Sequence, residues 1–491
     1  MSDDATPPKG LELEVADFGP IAEATVELRP LTVFIGPSNT GKSWLAMLIY
    51  ALHRFMGGAL GTGTRRLVLP GRMFDTRTKF ASDEAVHRAI DELVKALYRR
   101  GAPPGEEIPL ANAVAEEMRL ALARQAEDLR DEFRRSLGVV EPEELVRRGS
   151  EGGATVVLRQ DALDLLALRL LGTQATLDVA IANDARIRKE AVRDDLSYLL
   201  STAYGTDQRD EESRDAGYRD ALRVLAEQVL PQVFNPFFRQ AFYLPAGRTG
   251  VVEAYREIFG GMAETGPTLL PGVLTDFLRR LIEMSPARNG NGGFDEVAGR
   301  IEREMLGGGI RVAPSPVAGF PKFGYRPDGW REELPLTNSS SAVSELAPVV
   351  LFLRHVVAPG DVLIVEEPEA HLHPAAQVKL TRLLAGTVQA GLRVVMTTHS
   401  EWILEALANV VRRSALAGGS SDGKVEQAVA LRPSDVGAWL FTGKQSAGSV
   451  VAELELDDET GLFPAGYGPV SEALYNEGAG IFNQIQRAKG E

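Results

Sequence analysis

Three short stretches carry the residue types that phosphate chemistry needs. The first, Gly36-Pro-Ser-Asn-Thr-Gly-Lys42-Ser43, fits the pattern G-x-x-x-x-G-K-[ST]. A polyphosphate needs a nest of backbone N–H groups, and glycines at 36 and 41 permit the backbone angles that make one. Gly36, Pro37, Ser38, Asn39, Thr40, Gly41, Lys42 and Ser43 are therefore the candidate cradle. Lys42 would reach the β- and γ-phosphates, and the Ser43 hydroxyl would bind Mg²⁺. The second stretch is Glu366-Glu-Pro-Glu-Ala-His-Leu-His373. Adjacent carboxylates at a strand end are costly to place together unless a cation or protons compensate, so Glu366 is assigned to Mg²⁺ and Glu367 to orienting and deprotonating an attacking water. The third is Thr397-Thr-His399-Ser400, whose histidine could contact a γ-phosphate. His371 and His373 alternate with acids, including Glu369, but no further nearby His or Cys completes a transition-metal site.

These residues need strand ends to hold them. Leu31, Val33, Phe34 and Ile35 form an apolar run before the glycine-rich loop, and Trp44 to Leu52 continue after it as a helix, whose N-terminus favours anions. Val362 to Val365 are apolar on both faces, as a central parallel strand should be, and place Glu366 and Glu367 at its C-terminal end. Leu392 to Met396 do the same for His399. Ahead of the loop, Leu11 to Leu28 alternate as a hairpin that turns at Phe18-Gly-Pro20.

Elsewhere the pattern is coarser. Residues 54–239 read as mostly polar helix, with stripes at Val86, Ile90, Leu93 and Leu97 and at Val114, Met118, Leu122, Leu129 and Phe133. A short strand is expected at Val156 to Leu158, and helices at Leu196 to Tyr204 and Tyr218 to Phe238. The α/β pattern resumes at Gln240 to Leu244, with a helix over Val273 to Met284, a linker at Asn289 to Gly293, and antiparallel strands at Ile310 to Val312, Lys322 to Tyr325 and Glu333 to Leu336. The last stretch is expected to hold strands near Val425 to Leu431, Ala438 to Phe441 and Val450 to Leu456, then a helix from Val470. The chain thus divides into 1–53, the first part of an α/β domain; 54–239, a helical insertion; and 240–491, the rest of that domain, which the resemblance given below makes an ATPase head.

A length of 491 residues, 44% hydrophobic and 25% charged, is that of a globular protein of two or three lobes. The absence of cysteine excludes disulfides, thiolate metal sites and cysteine nucleophiles. A net charge of -15 speaks against a surface that coats nucleic acid nonspecifically. With no apolar run of membrane-spanning length and no signal-peptide pattern, a cytoplasmic location without membrane partners is expected.

The three motifs in this order, split by an insertion, resemble the ABC-type ATPases of the SMC and RecF kind. Glu366 to Pro374, the opening Phe18-Gly-Pro-Ile21 and the segment Tyr243 to Arg248 look most like prokaryotic ATPases related to the overcoming-lysogenization-defect (OLD) family. The resemblance implies an α/β fold, an ABC-type P-loop head of mixed sheet, flanking helices and an antiparallel subdomain. It makes Gly36 to Ser43 the Walker A loop, Glu366 the Walker B acid, Glu367 the catalytic glutamate, Pro368 to His373 the D-loop and His399 the switch histidine. The more usual Walker B acid is Asp. The signature falls at Ser339 to Glu345, with Ala342 where Gly is usual and Ser340 as the serine that meets a partner's γ-phosphate; the alternative is a plain helix cap. Arg248 stands at the polar end of the Q-loop region, as a nucleotide contact.

The resemblance further implies ATP and Mg²⁺ as cofactors and a homodimer, or larger assembly, that sandwiches two ATP molecules. The remaining C-terminal stretch is short for the nuclease domain that many relatives carry; Glu453, Glu455, Asp457 and Asp458 read as a solvated strand edge. The expected role is a sensor or scaffold that controls a separate effector, such as a nuclease, in anti-phage defence of the Septu and PARIS kind. The alternative is a DNA-repair or chromosome-maintenance ATPase that binds DNA directly.

Overall fold

The computed structural model describes residues 10–57, 84–97, 106–161, 163–181, 185–188, 211–235, 237, 239–265, 270–284, 293–314, 321–417, 429, 431–444, 447–455, 476, 477, 479 and 481. In chain order the elements begin with β1 (Glu12–Phe18), β2 (Ile21–Glu27), β3 (Leu31–Ile35) and α1 (Lys42–Gly57). Then come α2 (Glu84–Leu97), β4 (Glu107–Pro109), α3 (Asn112–Ala123), α4 (Ala126–Leu137), β5 (Ala154–Gln160), β6 (Leu163–Leu171), β7 (Gln174–Val179), β8 (Arg186–Arg188) and α5 (Glu211–Val233). After them come β9 (Ala241–Leu244), α6 (Arg248–Thr265), α7 (Gly272–Glu283), α8 (Asp295–Ile301), β10 (Gly308–Pro314), β11 (Pro321–Pro327), β12 (Leu334–Pro335) and α9 (Ser341–His355). It continues with β13 (Val362–Glu366), α10 (Pro374–Gln389), β14 (Arg393–Thr398), α11 (Glu401–Ala417), β15 (Val436–Lys444) and β16 (Gly448–Glu453).

One eleven-stranded sheet, in the order β7-β6-β5-β1-β2-β16-β15-β3-β14-β13-β9, carries the head. From β15 to β9 all neighbours are parallel, and beyond β15 the pairs are antiparallel except for β16 with β2. This mixed sheet flanked by helices is the ABC-type P-loop layout expected from the motifs. The strand β14 lies between the loop strand β3 and the acidic strand β13, so all three sequence motifs emerge at one sheet edge.

The central strands are apolar on both faces because both faces are covered. Leu31, Val33, Ile35, Leu363 and Val365 point into one core with α6 to α11; Phe34, Val362 and Ile364 point into the other with α1 to α5. This period-two division fixes the register, since a slip by one residue would exchange the faces.

Among its described residues the segment 54–239 has helices at both apolar stripes and over Glu211–Val233, and more strand than expected. The strand read at Val156 to Leu158 is the middle of β5, which pairs with β1 and leads a meander through β6 and β7 that extends the main sheet. The long stripe from Val114 to Phe133 is two helices, broken at Arg124 and Gln125, whose backbone N–H groups close the end of α3. Three helices meet in a buried polar cluster. Arg54 of α1 and Arg135 of α4 both pair with Glu132 of α4 and Asp276 of α7, and the Tyr50 hydroxyl donates to Asp276 Oδ2 at 2.9 Å.

The strands expected at Ile310 to Val312 and Lys322 to Tyr325 lie within β10 and β11, which with β12 form a separate three-stranded sheet. The helix expected over Leu196 to Tyr204 lies outside the described residues, as do most of the strand at Val425 to Leu431 and the start of the helix from Val470. Glu453 ends β16 in an ion pair with Arg29 at 2.8 Å, which agrees with a strand edge; Asp457 and Asp458 lie outside the described residues. Among the described residues no helix is long and apolar enough to cross a membrane.

Candidate nucleotide site

The turn from β3 into α1 is held by its own residues. Gly36 has φ +145° and Gly41 φ +92°, and a Cβ at 36 would stand 2.3 Å from the Phe441 carbonyl oxygen, against β15. Asn39 is left-handed at φ +61°, and the Thr40 hydroxyl donates to the Pro37 carbonyl at 2.8 Å. Pro37, Ser38 and Asn39 are exposed at the crest, whereas Lys42 is buried with its Nζ folded onto the carbonyls of Gly36 (2.9 Å) and Pro37 (2.7 Å). Burial lowers Lys42 to a pKa of about 8, against the opposing pull of the Glu367, Glu369 and Glu366 carboxylates. Ser43 follows in the first turn of α1.

The register places Glu366 beside Thr397 and Thr397 beside Phe34. The acidic strand end is therefore two strands, about 10 Å, from the phosphate loop. Glu366 is buried; its Oε2 accepts from the Ala246 N–H at 3.1 Å, its Oε1 has no hydrogen-bond partner, and the Tyr243 hydroxyl lies close to the carboxylate. Burial first, then the Glu366 carboxylate, raises Tyr243 well above the usual phenol range, so it stays protonated.

Glu367 adopts φ +41°, a conformation that costs a non-glycine residue about 1–3 kcal/mol. The strain is held by hydrogen bonds from its N–H to the carbonyl (2.9 Å) and hydroxyl (3.2 Å) of Thr397. Its Oε1 stands 3.5 Å from His399 Nε2. Glu369 closes the arrangement: its Oε1 accepts from the Thr398 hydroxyl at 2.7 Å and the His399 N–H at 2.6 Å. The turns that follow β13 and β14 are thus tied through one carboxylate, a role that the sequence reading did not give Glu369.

A buried, unpartnered Glu366 Oε1 and a likewise unpartnered Glu369 Oε2, beside a lysine and a serine hydroxyl, fit a divalent cation with a polyphosphate. A cleft of about 830 Å³ opens on the other side of the loop, between Pro20, Trp44, Arg147 and Gly448, and is large enough for a nucleoside. No group of three or more His, Asp or Glu among the described residues could hold a metal ion alone. His373 instead caps α10, its Nδ1 accepting from the Ala375 N–H.

One assignment changes. Arg248 is not a nucleotide contact, because it is fully buried at the start of α6 and its guanidinium is taken up by protein groups: Glu345 and the carbonyls of Pro245, Glu366 and Glu367. Ser340 is exposed at the N-terminus of α9, and its Oγ accepts from the Val343 N–H at 3.4 Å, so the cap is real. It does not join the Glu366–His399 cluster of its own chain. A clue to Arg248 was in the sequence: Glu345 is the single acid in the apolar run of α9, and a buried acid needs a cation.

No curated protein matches the chain. Among solved structures it overlaps the SmcHead bound to the C-winged helix domain of ScpA, at 11% identity and TM-score 0.39, covering 91% of this chain and 98% of that one. It also overlaps an Smc head domain with an extended coiled coil bound to the C-terminal domain of ScpA, from Pyrococcus furiosus (11%, TM-score 0.37, 98% and 99% covered), and the SMC head domain from Thermotoga maritima (13%, TM-score 0.33, 91% and 99%). Residues 297–404, which hold Ser340, Glu366, Glu367 and His399, match the AAA ATPase domain family.

Proposed function

We propose that the chain binds ATP with Mg²⁺ at the β3–α1 turn and hydrolyses it, and that two copies close over two nucleotides. The observation that carries this reading is the row Phe34, Thr397, Glu366, which brings phosphate loop, acidic pair and histidine to one sheet edge. Lys42 exchanges its two loop carbonyls for phosphate oxygens, so binding is prepared by a charge already desolvated. Ser43 and Glu366 would hold the cation, which supplies neutralisation of phosphate charge. Glu367 accepts the proton of the attacking water, and His399 fixes the direction of its carboxylate.

The exposed Ser340 end of α9 offers a hydroxyl and a helix N-terminus to an anion, and a second copy's γ-phosphate is the anion it suits. ATP then stabilises the closed pair and hydrolysis loosens it, by linkage. The output of that switch is control of a separate effector such as a nuclease, in anti-phage defence; the resemblance in Glu366 to Pro374 supports it. Glu453 is already engaged by Arg29, which gives the chain's own acidic strand end a structural use. In the alternative, DNA clamping in repair or chromosome maintenance, binding to duplex DNA would fall steeply with salt.

The test is the solution mass of Glu367→Gln by light scattering with and without Mg-ATP. A nucleotide-driven doubling that Lys42→Ala abolishes is expected. A monomer under both conditions would overturn the two-headed mechanism.

A further inference from the structure

Arg248 feels all four carboxylates behind the site, Glu345 most strongly. Glu366, Glu367 and Glu369 surround Lys42, whereas Glu345 lies on α9, five residues after Ser340, and is 1% exposed. Its partner is Arg248, itself 0% exposed, with Nη2 at 2.5 Å from Glu345 Oε1 and Nε donating to the Glu345 carbonyl at 3.2 Å. The Thr249 hydroxyl donates to the other carboxylate oxygen. The rest of the guanidinium reaches the acidic turn: Nη1 donates to the Glu366 carbonyl at 2.6 Å and Nη2 to the Glu367 carbonyl at 3.3 Å.

One planar group therefore grips both peptides that flank the Glu367 Cα. Those peptides set the left-handed φ of +41° that aims the Glu367 side chain. The same residue is also held through its N–H on Thr397 and through its carbonyl, which accepts from the Ala370 N–H at 3.0 Å. Only arginine has donors in a rigid fork that can serve a carboxylate and two carbonyls together; a lysine ammonium keeps the charge but not the span.

We propose that Arg248 is the positioning residue for Glu367, and that through Glu345 it links the Ser340 end of α9 to the aim of that carboxylate. Resting on the ATPase reading above, this gives the site a built-in order of events. A γ-phosphate from another copy that pulls on Ser340 shifts α9, Glu345 moves with it, and Arg248 carries the shift to the Glu366–Glu367 turn. Hydrolysis becomes responsive to closure because the catalytic turn and the closing helix share one buried cation.

The experiment compares the parent chain with Arg248→Lys, Glu345→Gln and the double variant in ATP affinity, single-turnover hydrolysis and turnover as a function of chain concentration. The expected result for Arg248→Lys is an ATP affinity within about threefold of the parent and a hydrolysis rate about 100-fold lower, the effect of a misplacement near 1 Å. The parent's turnover per chain rises with concentration as pairs form, and that rise is lost in Arg248→Lys and Glu345→Gln. Their effects are less than additive in the double variant, because they cut the same link.

Unchanged hydrolysis in a folded Arg248→Lys overturns the proposal while leaving the ATPase reading intact. Variants that lose ATP affinity in proportion to thermal stability assign Arg248 to the core alone, with the same consequence. A parent without Lys42-dependent hydrolysis overturns the ATPase reading itself, and this proposal with it.

Discussion

His399 Nε2 and Glu367 Oε1 face each other at 3.5 Å, yet neither side chain holds itself there. Thr397 binds the backbone of Glu367, and Glu369 binds the backbone of His399, so the pair is set by two neighbours that do not touch the reacting atoms. Glu367→Gln is expected to retain ATP binding while hydrolysis falls about 10²–10⁴-fold, the range for loss of a general base. Parallel measurement of nucleotide affinity and single-turnover rate checks this. Loss of both together would assign Glu367 to binding.

Lys42 makes ATP binding pH-dependent. Its pKa of about 8 without nucleotide means that above pH 8 the free site loses the charge that the phosphates require. ATP affinity should be flat from pH 6.5 to 7.5 and fall by up to tenfold per unit above pH 8, measured by calorimetry in buffers of different ionisation enthalpy. Proton uptake on binding should appear in the same window. Stability of the free protein runs the other way: the unfolded chain binds more protons at Lys42 between pH 8 and 10.5, so this residue's penalty is relieved as pH rises.

Ser340 has two tasks that one substitution can separate. Ser340→Ala should lower stability by about 1 kcal/mol through the lost cap and also abolish nucleotide-driven association. Ser340→Asp keeps a good cap but sets a negative charge where a phosphate is to bind. It should melt like the parent and fail to associate. Association by Ser340→Asp would show that the helix end faces no phosphate.

His53 is a buried neutral imidazole, packed against Phe237 at 4.5 Å with the rings tilted by 42°, and its Nδ1 is 3.2 Å from the Arg239 carbonyl. Burial, opposed by that hydrogen bond and reinforced by the Arg393 charge, lowers it to about 3. Between pH 6.5 and 3 the unfolded chain takes up a proton that the native chain refuses, so stability falls with falling pH across that window. Denaturation midpoints at pH 7 and pH 5 should differ less in His53→Gln than in the parent.

The buried cluster of Arg54, Arg135, Glu132 and Asp276 gives a further prediction. Removing one carboxylate leaves two desolvated guanidinium groups short of a partner, so Glu132→Ala should cost about 3–5 kcal/mol in urea unfolding. A cost below 1 kcal/mol would show that water reaches the cluster.

The parallel half of the fold was legible because its strands are short, apolar on both faces and end in residues with distinctive chemistry. Leu31 to Ile35, Val362 to Glu366 and Arg393 to Thr398 needed little more than local pattern. The meander β5 to β7 was not, because Leu163 to Leu171 alternates poorly: Leu163 and Leu171 are exposed, and four consecutive residues inside the strand are buried. Its strand character comes from pairing with β5, a tertiary contact. Arg248 was misassigned because a cation near a phosphate motif suggests phosphate, and its actual partner lies 97 residues further on. The Glu369 bonds were hidden for the same reason: they join turns that only the sheet order makes neighbours.

The continuity of the large sheet has a mechanical consequence. Seven inter-strand spacings separate β3 from β7, an arm of roughly 34 Å that carries part of the 54–239 segment without a break in backbone pairing. Such an arm is a pointer: a tilt of about 10° at the nucleotide edge sweeps its far strand through about 6 Å. On the proposed reading, this arm would carry a small movement at the nucleotide edge to a surface well beyond the reach of any side chain.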